Sequence, residues 1–161
     1  MINLIWAQSK NGVIAKDNQI PWSLKSDLEN FKLLTTDQVV LMGASTYDSL
    51  PIKPLPDRIN LVLSHRDQSD FIEGVRKVES IDQAIQIAKH FQKDLYVIGG
   101  KSLYQKTIAD ADYLYVTIVD VEIDDGLELE INLDQFNLIE NKNYSVDKDN
   151  QYNFSINKYS K

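Results

Sequence analysis

Three observations in the amino-acid sequence predict an α/β fold with a largely parallel sheet and an antiparallel edge. Five short runs are rich in Val, Ile, Leu and Tyr and mostly lack polar alternation, which is typical of strands covered on both faces. Helical patterns separate these runs, so most of the strands are expected to be parallel. Near the C-terminus apolar and polar residues alternate instead, which predicts an antiparallel strand pair at one edge of the sheet.

The predicted strands follow the apolar runs in chain order. The five central strands are placed at Ile2–Gln8, Gln38–Gly43, Ile59–Ser64, Leu95–Ile98 and Tyr113–Val119. After them, the acidic stretch Asp120–Asp125 and Gly126 are expected to form a loop. The alternating segment 152–157 then provides the antiparallel edge.

Four helices are expected between the strands. The first runs over Leu24–Leu34, with Ser23 as its cap. The clearest begins after Ser80, which can cap the helix while Gln83 reaches back. The apolar stripe of that helix consists of Ile81, Ala84, Ile85 and Ala88. The other two helices begin near Ser45 and Lys101.

Length, charge and composition limit the class of protein. The 161 residues favour one domain spanning 1–161. The 24 acidic residues outnumber the 17 basic ones and give a formal charge of −7, which argues against nucleic acid or an anionic membrane as the main partner. The chain has no cysteine, which excludes disulfide scaffolds, thiolate zinc sites and cysteine nucleophiles. The apolar start Met1–Ala7 is too short for a signal peptide, so we expect a cytoplasmic protein.

One carboxylate stands out because of its neighbours. In the helix after Ser23, Asp27 lies on the same face as Leu24 and Phe31. A carboxylate among apolar neighbours is costly unless it is paired or protonated, so this position indicates a functional acid. The alternative is an ordinary acid near a helix N-terminus, whose negative charge favours the helix dipole. Position alone leaves both interpretations open.

A glycine pair lies between a predicted strand and a predicted helix, within Leu95–Ser102. Gly99 and Gly100 would let a phosphate approach backbone N–H groups at the start of the helix. The stretch is not a P-loop, because Leu95 occupies the position of the first required glycine, and the dinucleotide motif G-x-G-x-x-G is absent. A plain tight turn is the alternative.

The sequence gives little support for metal or hydrolase chemistry. His65 and His90 are far apart and lack metal-ligand spacing, so no metal is expected. The acidic run ending at Gly126 is not a calcium loop, since Ile131 stands where the final glutamate should be. Neither histidine neighbours a nucleophile motif of the Ser-His-Asp enzymes.

Several stretches, taken in order, resemble the dihydrofolate reductase family over nearly the whole chain. A single match would be weak, but the ordered set is specific. The matching residues are Ile5-Trp6-Ala7, Gly12-Val13-Ile14, Ile20-Pro21-Trp22-Ser23-Leu24 with Asp27-Leu28 and Phe31-Lys32, Val40-Leu41-Met42-Gly43 with Thr46-Tyr47 and Ser49, Pro54-Leu55-Pro56 with Arg58 and Asn60, Leu63-Ser64, Val97-Ile98-Gly99-Gly100 with Tyr104, and Leu114-Tyr115-Val116-Thr117.

The resemblance implies the family's fold and reaction. The fold would be a dihydrofolate reductase-like three-layer fold, in which helices flank a mixed central sheet that is mostly parallel and has an antiparallel C-terminal edge strand. The reaction would be the NADPH-dependent reduction of 7,8-dihydrofolate to tetrahydrofolate for one-carbon metabolism. A hydride would pass from nicotinamide C4 to pterin C6 and a proton would reach N5. The resemblance also implies a monomer that binds dihydrofolate, NADPH and antifolate inhibitors.

By position, the resemblance assigns the proton step to Asp27. Its carboxyl would grip the amino-pyrimidine edge of the pterin and favour protonation of the ring, with Thr117 as hydrogen-bond support. Trp22 would orient a water beside it. Burial is expected to raise the pKa of the carboxyl toward the working range.

Substrate-binding residues also follow by position. Arg58 would pair with the glutamate carboxylate of folate, a planar two-pronged match, although a surface arginine after a proline-rich turn is the alternative. Apolar residues would wall the pocket, and each alone would fit a core position equally well. The full set of substrate contacts would be Ile5, Ala7, Asp27, Leu28, Phe31, Leu50, Leu55, Arg58, Ile98, Tyr104 and Thr117.

Two helix starts and a lid would bind the cofactor. Ala7 and Ile14 would contact the nicotinamide, and the segment Lys10–Trp22 would close over it. One helix would open against the phosphates at Gly43, Ser45 and Thr46. The second phosphate cradle and the end of a nearby strand would contribute Leu63, Ser64, His65, Arg66, Gly99, Gly100, Lys101, Ser102, Leu103 and Tyr104.

The chain departs from the family pattern at three positions. Ala44 replaces a basic residue that grips the 2′-phosphate of NADPH, and His65 and Arg66 are expected to supply the missing charge. Ala15 replaces a common lid glycine and is expected to stiffen the lid. Leu127 stands where the family has aspartate, which is expected to remove a hydrogen bond between the lid and the acidic loop.

Two other hypotheses are compatible with the sequence. A related reductase acting on another pterin, or on a pyrimidine intermediate of flavin synthesis, would share the fold and the glycine turn. Such relatives generally lack the combination of Pro21-Trp22 with Asp27. A non-catalytic binding protein of the same fold, suggested by Ala44 and Leu127, would have lost its affinity for the cofactor.

Overall fold

The computed structural model describes residues 1–161 and contains ten strands and four α-helices. The strands are β1 (Ile2–Ser9), β2 (Val13–Ala15), β3 (Val39–Gly43), β4 (Ile59–Leu63), β5 (Val75–Val78), β6 (Leu95–Val97), β7 (Tyr113–Val119), β8 (Leu127–Glu128), β9 (Asn137–Tyr144) and β10 (Phe154–Ser160). The helices are α1 (Lys25–Thr35), α2 (Ala44–Ser49), α3 (Ile81–His90) and α4 (Lys101–Thr107). Short 3₁₀ turns occur at Gln68–Asp70 and Ile108–Asp110.

Eight of the strands form one sheet in the order β5-β4-β3-β6-β1-β7-β10-β9. β1 is parallel to β6, β3 is parallel to β4 and β6, and β4 is parallel to β5. β10 is antiparallel to both β7 and β9. The predicted α/β class, with a mostly parallel sheet and an antiparallel C-terminal edge, is confirmed. β2 and β8 form a separate antiparallel pair.

The chain divides into two compact units, and the division passes through β1. The first unit consists of Met1–Leu4 and Leu34–Ala111. Its core lies on the central strands, where the apolar run of β3 and the residues Leu61 and Val62 of β4 are fully buried. A parallel strand covered on both faces needs apolar side chains in both directions, which is why these runs do not alternate.

The second unit consists of Ile5–Leu33 and Asp112–Lys161. Its core cluster joins the start of α1 to the antiparallel strands through Leu24, Val119, Phe154 and Ile156. The partly buried residues packed against this cluster are Trp22, Val121, Tyr144 and Tyr152. β10 alternates buried and polar residues because only part of its surface meets the core.

The five predicted central strands all exist, with ends that agree to within one residue. The segment 152–157, predicted as the edge, corresponds to β10, which begins two residues later and lies next to the true edge strand β9. Four strands escaped prediction: β2, β5, β8 and β9. β9 is almost entirely exposed and rich in polar residues, so it carries no hydrophobic signal. Its backbone pairs with β10 over the whole length, and that pairing rather than burial makes it a strand.

The prediction that Ser23 caps the first helix is wrong. The helix begins at Lys25, one residue later than predicted, and the N–H of Ser26 donates to Oδ1 of Asn150. Ser23 instead pairs with Gln151, through its N–H and its carbonyl. A distant loop therefore supplies the cap, which no local pattern could indicate.

The predicted cap of α3 is correct in one half and wrong in the other. The Ser80 hydroxyl accepts the N–H of Gln83 at 3.0 Å. The side chain of Gln83, however, accepts the N–H of Glu79 rather than that of Ser80. The buried stripe consists of Ala84, Ile87 and Ala88, while the predicted members Ile81 and Ile85 are only partly buried. None of the four helices is long and apolar enough to cross a membrane.

Removal of the α3 cap should destabilise the protein. In Ser80→Ala the Gln83 N–H loses its acceptor, and the free energy of unfolding should fall by about 1 kcal/mol, measured by urea denaturation. Ser80→Asp keeps an acceptor oxygen that suits the positive helix end, so it should remain as stable as the wild type. Equal midpoints for wild type and Ser80→Ala would show that the cap contributes nothing.

Candidate active site

The second unit holds a hydrogen-bonded pair formed by an acid and a hydroxyl. Asp27 lies in the first turn of α1 and Thr117 lies near the middle of β7. The Thr117 hydroxyl donates to Oδ1 of Asp27 at 2.6 Å. Thr117 itself is buried, with 4% of its surface exposed. The structure therefore brings together two residues that are 90 positions apart in the chain.

The environment of Asp27 raises the pKa of its carboxyl. Burial is the larger cause, because it disfavours the charged form, and the hydrogen bond from Thr117 acts in the opposite direction. The expectation that burial raises this pKa is confirmed. A carboxyl of this kind holds a proton to higher pH than an exposed aspartate and can act as an acid.

Apolar side chains accompany Asp27 on α1, but they are not all buried. Leu24 is buried, Phe31 is partly buried and Leu28 is 60% exposed. The predicted apolar stripe is therefore not a core stripe along its whole length. A large exposed apolar side chain next to a buried acid is what a bound aromatic ligand would cover. Trp22, which comes before the helix, packs against the core cluster of the second unit.

The segment predicted to act as a lid is joined to the acidic loop of the same unit. Val13 and Ala15 of β2 pair with Glu128 and Leu127 of β8, and the Lys10 N–H donates to the Val121 carbonyl at 3.0 Å. The side chain of Asn11 donates to one backbone group of Ile123 and accepts from another. Leu127 thus takes part in backbone pairing even though it lacks the carboxylate of the family pattern.

In the first unit, the starts of two short helices meet at glycines. The Gly43 N–H donates to the Gly99 carbonyl at 2.8 Å, and Gly43 and Gly100 are the N-cap residues of α2 and α4. A Cβ on Gly99, whose φ is +126°, would lie 3.2 Å from Oγ1 of Thr46 and 3.3 Å from the Tyr104 hydroxyl. Side chains are thus excluded here, and neither glycine can cap its helix with a side chain. Such an arrangement fits the diphosphate of a dinucleotide.

The remaining predicted cofactor residues differ in exposure. Leu103 is buried in the core, so only its backbone remains for a ligand. Tyr104 is buried as well, and burial raises the pKa of its hydroxyl. The residues that are partly buried are Ala7, Ile14, Leu63, Ser64 and Lys101, and those that are exposed are Ser45, Ser102 and His65.

Arg66, expected to replace the charge missing at Ala44, already has a partner. Its guanidinium forms two hydrogen bonds with the Asp48 carboxylate, at 3.0 and 2.8 Å. The Arg66 N–H also donates to the Ser64 hydroxyl. The hydrogen bonds from Arg66 hold the pKa of the Asp48 carboxyl below its ordinary value. The sequence analysis did not identify Asp48 as a partner of Arg66.

Arg58 is held by its surroundings in the first unit. Its Nε donates to the Pro56 carbonyl at 2.8 Å and a terminal nitrogen donates to the Thr35 hydroxyl at 3.1 Å. Burial lowers the pKa of its guanidinium, which stays charged at neutral pH. Asn60, fully buried, bonds to the backbone of Leu55 and to the Arg58 carbonyl. Asn60 thus fixes the turn that carries Arg58. The family pattern includes Asn60, but only the structure shows this role.

The other predicted wall residues Ile5, Leu50, Leu55 and Ile98 are partly buried. Nowhere in the structure do three or more His, Asp or Glu side chains group as metal ligands. The second unit therefore offers a partly buried acid, and the first unit offers a held arginine and a pair of glycine helix starts.

Comparison with known proteins places these features in a family. A family model described as dihydrofolate reductase matches residues 1–161. The dihydrofolate reductase of Ureaplasma parvum is 35% identical over 161 residues, covering 99% of this chain and 97% of the relative. That of Buchnera aphidicola is 37% identical over 158 residues, covering 96% of each chain.

A solved structure shows the same architecture. The dihydrofolate reductase from Enterococcus faecalis, complexed with NADP(H) and RAB-propyl, superposes with a TM-score of 0.90 at 28% identity. The match covers 99% of this chain and 95% of that one. Because sequence and fold agree from the first residue to the last, the chain belongs to the dihydrofolate reductase family.

Proposed function

We propose that this chain reduces 7,8-dihydrofolate to 5,6,7,8-tetrahydrofolate with NADPH, supplying tetrahydrofolate for one-carbon metabolism. The observation that carries the proposal is the Asp27 carboxyl. Burial raises its pKa, and the hydrogen bond from Thr117 orients it. Family membership supplies the reaction that needs such an acid.

Asp27 binds the amino-pyrimidine edge of the pterin and favours protonation at N5. A carboxylate has about four lone-pair sites, so the Thr117 hydrogen bond leaves both oxygens able to accept from the ring. Protonation makes the adjacent C6 more electrophilic. Trp22 orients a water beside the acid, while Leu28 and Phe31 cover the ring and exclude bulk water, which strengthens the contacts of the acid.

The cofactor is bound by residues beside the nicotinamide and by backbone N–H groups at the phosphates. When bound, NADPH supplies the hydride that passes from nicotinamide C4 to pterin C6. Ala7 and Ile14 orient the nicotinamide, and the backbone N–H groups that follow Gly43 and Gly100 receive the phosphates. Face-to-face orientation of two rings accounts for much of the acceleration in such a reaction.

The 2′-phosphate and the folate tail are bound by arginines. His65 and Arg66 take the 2′-phosphate, and Asp48 holds the Arg66 fork in a fixed direction while offsetting part of its charge. Arg58, held by Pro56 and Thr35, pairs with the glutamate carboxylate of folate.

We further propose a cytoplasmic, monomeric enzyme of one domain that antifolates inhibit. The family model spans both compact units, and β1 contributes residues to each, which supports a single domain. The absence of cysteine suits a reducing compartment. Size-exclusion chromatography at several concentrations tests the monomer.

The decisive assay follows the loss of NADPH with dihydrofolate, with and without methotrexate. Oxidation that depends on dihydrofolate and stops with methotrexate supports the proposal. Turnover of another pterin but not of dihydrofolate would favour the related reductase. Failure of NADPH to quench tryptophan fluorescence would favour the non-catalytic binding protein.

Removal of the acid should abolish most turnover without unfolding the protein. Asp27→Asn keeps the acceptor for Thr117 but cannot assist protonation, so kcat should fall by about 10²–10⁴-fold. Asp82→Asn makes the same charge change in the first turn of α3 and should leave kcat unchanged. Wild-type turnover in Asp27→Asn would refute the assignment.

The raised pKa of Asp27 should also appear in stability. Because the folded-state pKa lies above the unfolded one, the carboxyl stabilises the protein below its ordinary pKa of 3.8, and this contribution is lost as pH rises through the folded value. The free energy of unfolding of Asp27→Asn should therefore equal that of the wild type at about pH 3 and exceed it at about pH 8. Urea denaturation across this range measures the difference, and a constant difference at every pH would contradict it.

Loss of Arg58 should affect only substrates with a carboxylate tail. Arg58→Ala should raise KM for dihydrofolate by about 10- to 100-fold, because a charge-assisted contact is lost. KM for 6,7-dimethyl-7,8-dihydropterin, which lacks the glutamate, should not change. Arg76→Ala, at an exposed position of β5, serves as the matched control. An equal rise for both substrates would assign Arg58 a structural role.

A further inference from the structure

The N-terminus of α1 is capped from a distant part of the chain. The Ser26 N–H donates to Oδ1 of Asn150 at 3.1 Å, and the Lys25 N–H donates to the Asp149 carbonyl at 3.1 Å. The first bond within the helix runs from the Leu28 N–H to the Leu24 carbonyl. By contrast, α3 is capped by the adjacent Ser80. The loop between β9 and β10 therefore satisfies two of the donors that α1 cannot satisfy itself.

Asn150 is held in a single orientation by its own contacts. It is 3% exposed, and its Nδ2 donates to the Ser26 hydroxyl at 3.1 Å and to Oδ1 of Asp147 at 3.0 Å. Its backbone N–H donates to the same Asp147 oxygen, and its backbone forms a bridge with Leu24. Both ends of the amide are used, so the side chain acts as a rigid link between the loop and the helix.

This link ends one residue before the acid. Asp27 follows Ser26 in the first turn of α1, and its carboxyl reaches Thr117 on β7. Thr117 is fixed because β7 pairs with β10 along its whole length, with Thr117 opposite Ile156. The position of the carboxyl relative to Thr117 thus depends on the first turn of the helix, where Asn150 accepts the Ser26 N–H.

We propose that Asn150 is a positioning residue for Asp27, acting through the capped first turn of α1. The inference rests on the proposed function for the role of Asp27 in protonation. Its structural part, which concerns the carboxyl itself, can be tested without any substrate.

Loss of the link should let water reach the acid. Burial is the larger cause of the raised pKa of Asp27, so a loosened first turn should lower this pKa toward the ordinary 3.8. Thr117 is the polar group facing the carboxyl from β7. The charged residues beside it on α1 are Lys25 and Glu29, and those of the loop are Asp147, Lys148 and Asp149. None of the three substitutions used below as single changes alters the number of charges.

The first measurement is a carbon-13 NMR titration of aspartate carboxyls in the ligand-free protein. In Asn150→Ala the pKa of Asp27 should fall relative to the wild type. Asn153→Ala is the matched control: Asn153 accepts the Val146 N–H in the same loop and should leave the Asp27 pKa unchanged. An unchanged Asp27 pKa in Asn150→Ala overturns the inference, as does an equal fall in Asn153→Ala.

Two further variants keep the test decisive if Asn150→Ala does not fold. Ser26→Ala removes one contact from the helix side and should lower the Asp27 pKa by a smaller amount. The exchange Asp147→Asn with Asn150→Asp preserves the net charge, the acceptor for Ser26 and a donor–acceptor pair between positions 147 and 150. It should restore the wild-type pKa. No shift in Ser26→Ala, or no restoration by the exchange, counts against Asn150.

Kinetics then separate positioning from general stability. Asn150→Ala should lower kcat with dihydrofolate by about 3- to 30-fold, with KM for NADPH unchanged, and the exchange should recover it. Asn153→Ala should retain wild-type kcat even where its unfolding midpoint falls. If the wild type itself does not reduce dihydrofolate, the proposed function fails, while the NMR titration still decides whether Asn150 positions the carboxyl.

Discussion

The hydrogen bond between Thr117 and Asp27 is the contact on which the proposed chemistry of this protein depends. It joins the first turn of a helix to a strand of the antiparallel part of the sheet, at 2.6 Å. Burial makes the carboxyl hold its proton, while the hydroxyl keeps the carboxylate form from becoming prohibitively costly. Helix packing, strand pairing and the loop beyond β9 all serve to keep these two groups together.

A different constraint governs the first unit, where backbone rather than side chains would face the proposed cofactor. Gly43 is hydrogen-bonded to Gly99, where a Cβ would press on Thr46 and Tyr104. Glycine N-caps leave helix N–H groups uncapped by side chains, which suits phosphate oxygens. Few positive side chains are available for the proposed anionic ligands. The fixed directions of the Arg58 and Arg66 guanidinium groups therefore matter more for binding than the overall charge of −7.

Much of the fold was predictable because central strands form apolar runs that are easily recognised in the sequence. β3 is buried along almost its whole length and therefore consists of an apolar run, and β7 is apolar apart from Thr117. β9 and the β2–β8 pair were not predictable, since exposed strands are held by backbone hydrogen bonds that any polar sequence can make. For the site, a family pattern located Asp27 and Arg58, whereas Asp48 and Asn150 act through partners far away in the chain.

By itself, the sequence determined the α/β class, the family and the type of each candidate group. Strands buried on two faces and short-range motifs produce patterns among neighbouring residues that can be recognised without the structure. Only the tertiary structure decided that Asn150 rather than Ser23 caps α1, that Arg66 pairs with Asp48, and that Leu28 remains exposed. The physical reason is the same in each case. A hydrogen bond or a buried surface is shared between two residues. When these are far apart in the chain, the sequence around one residue does not indicate which residue is its partner.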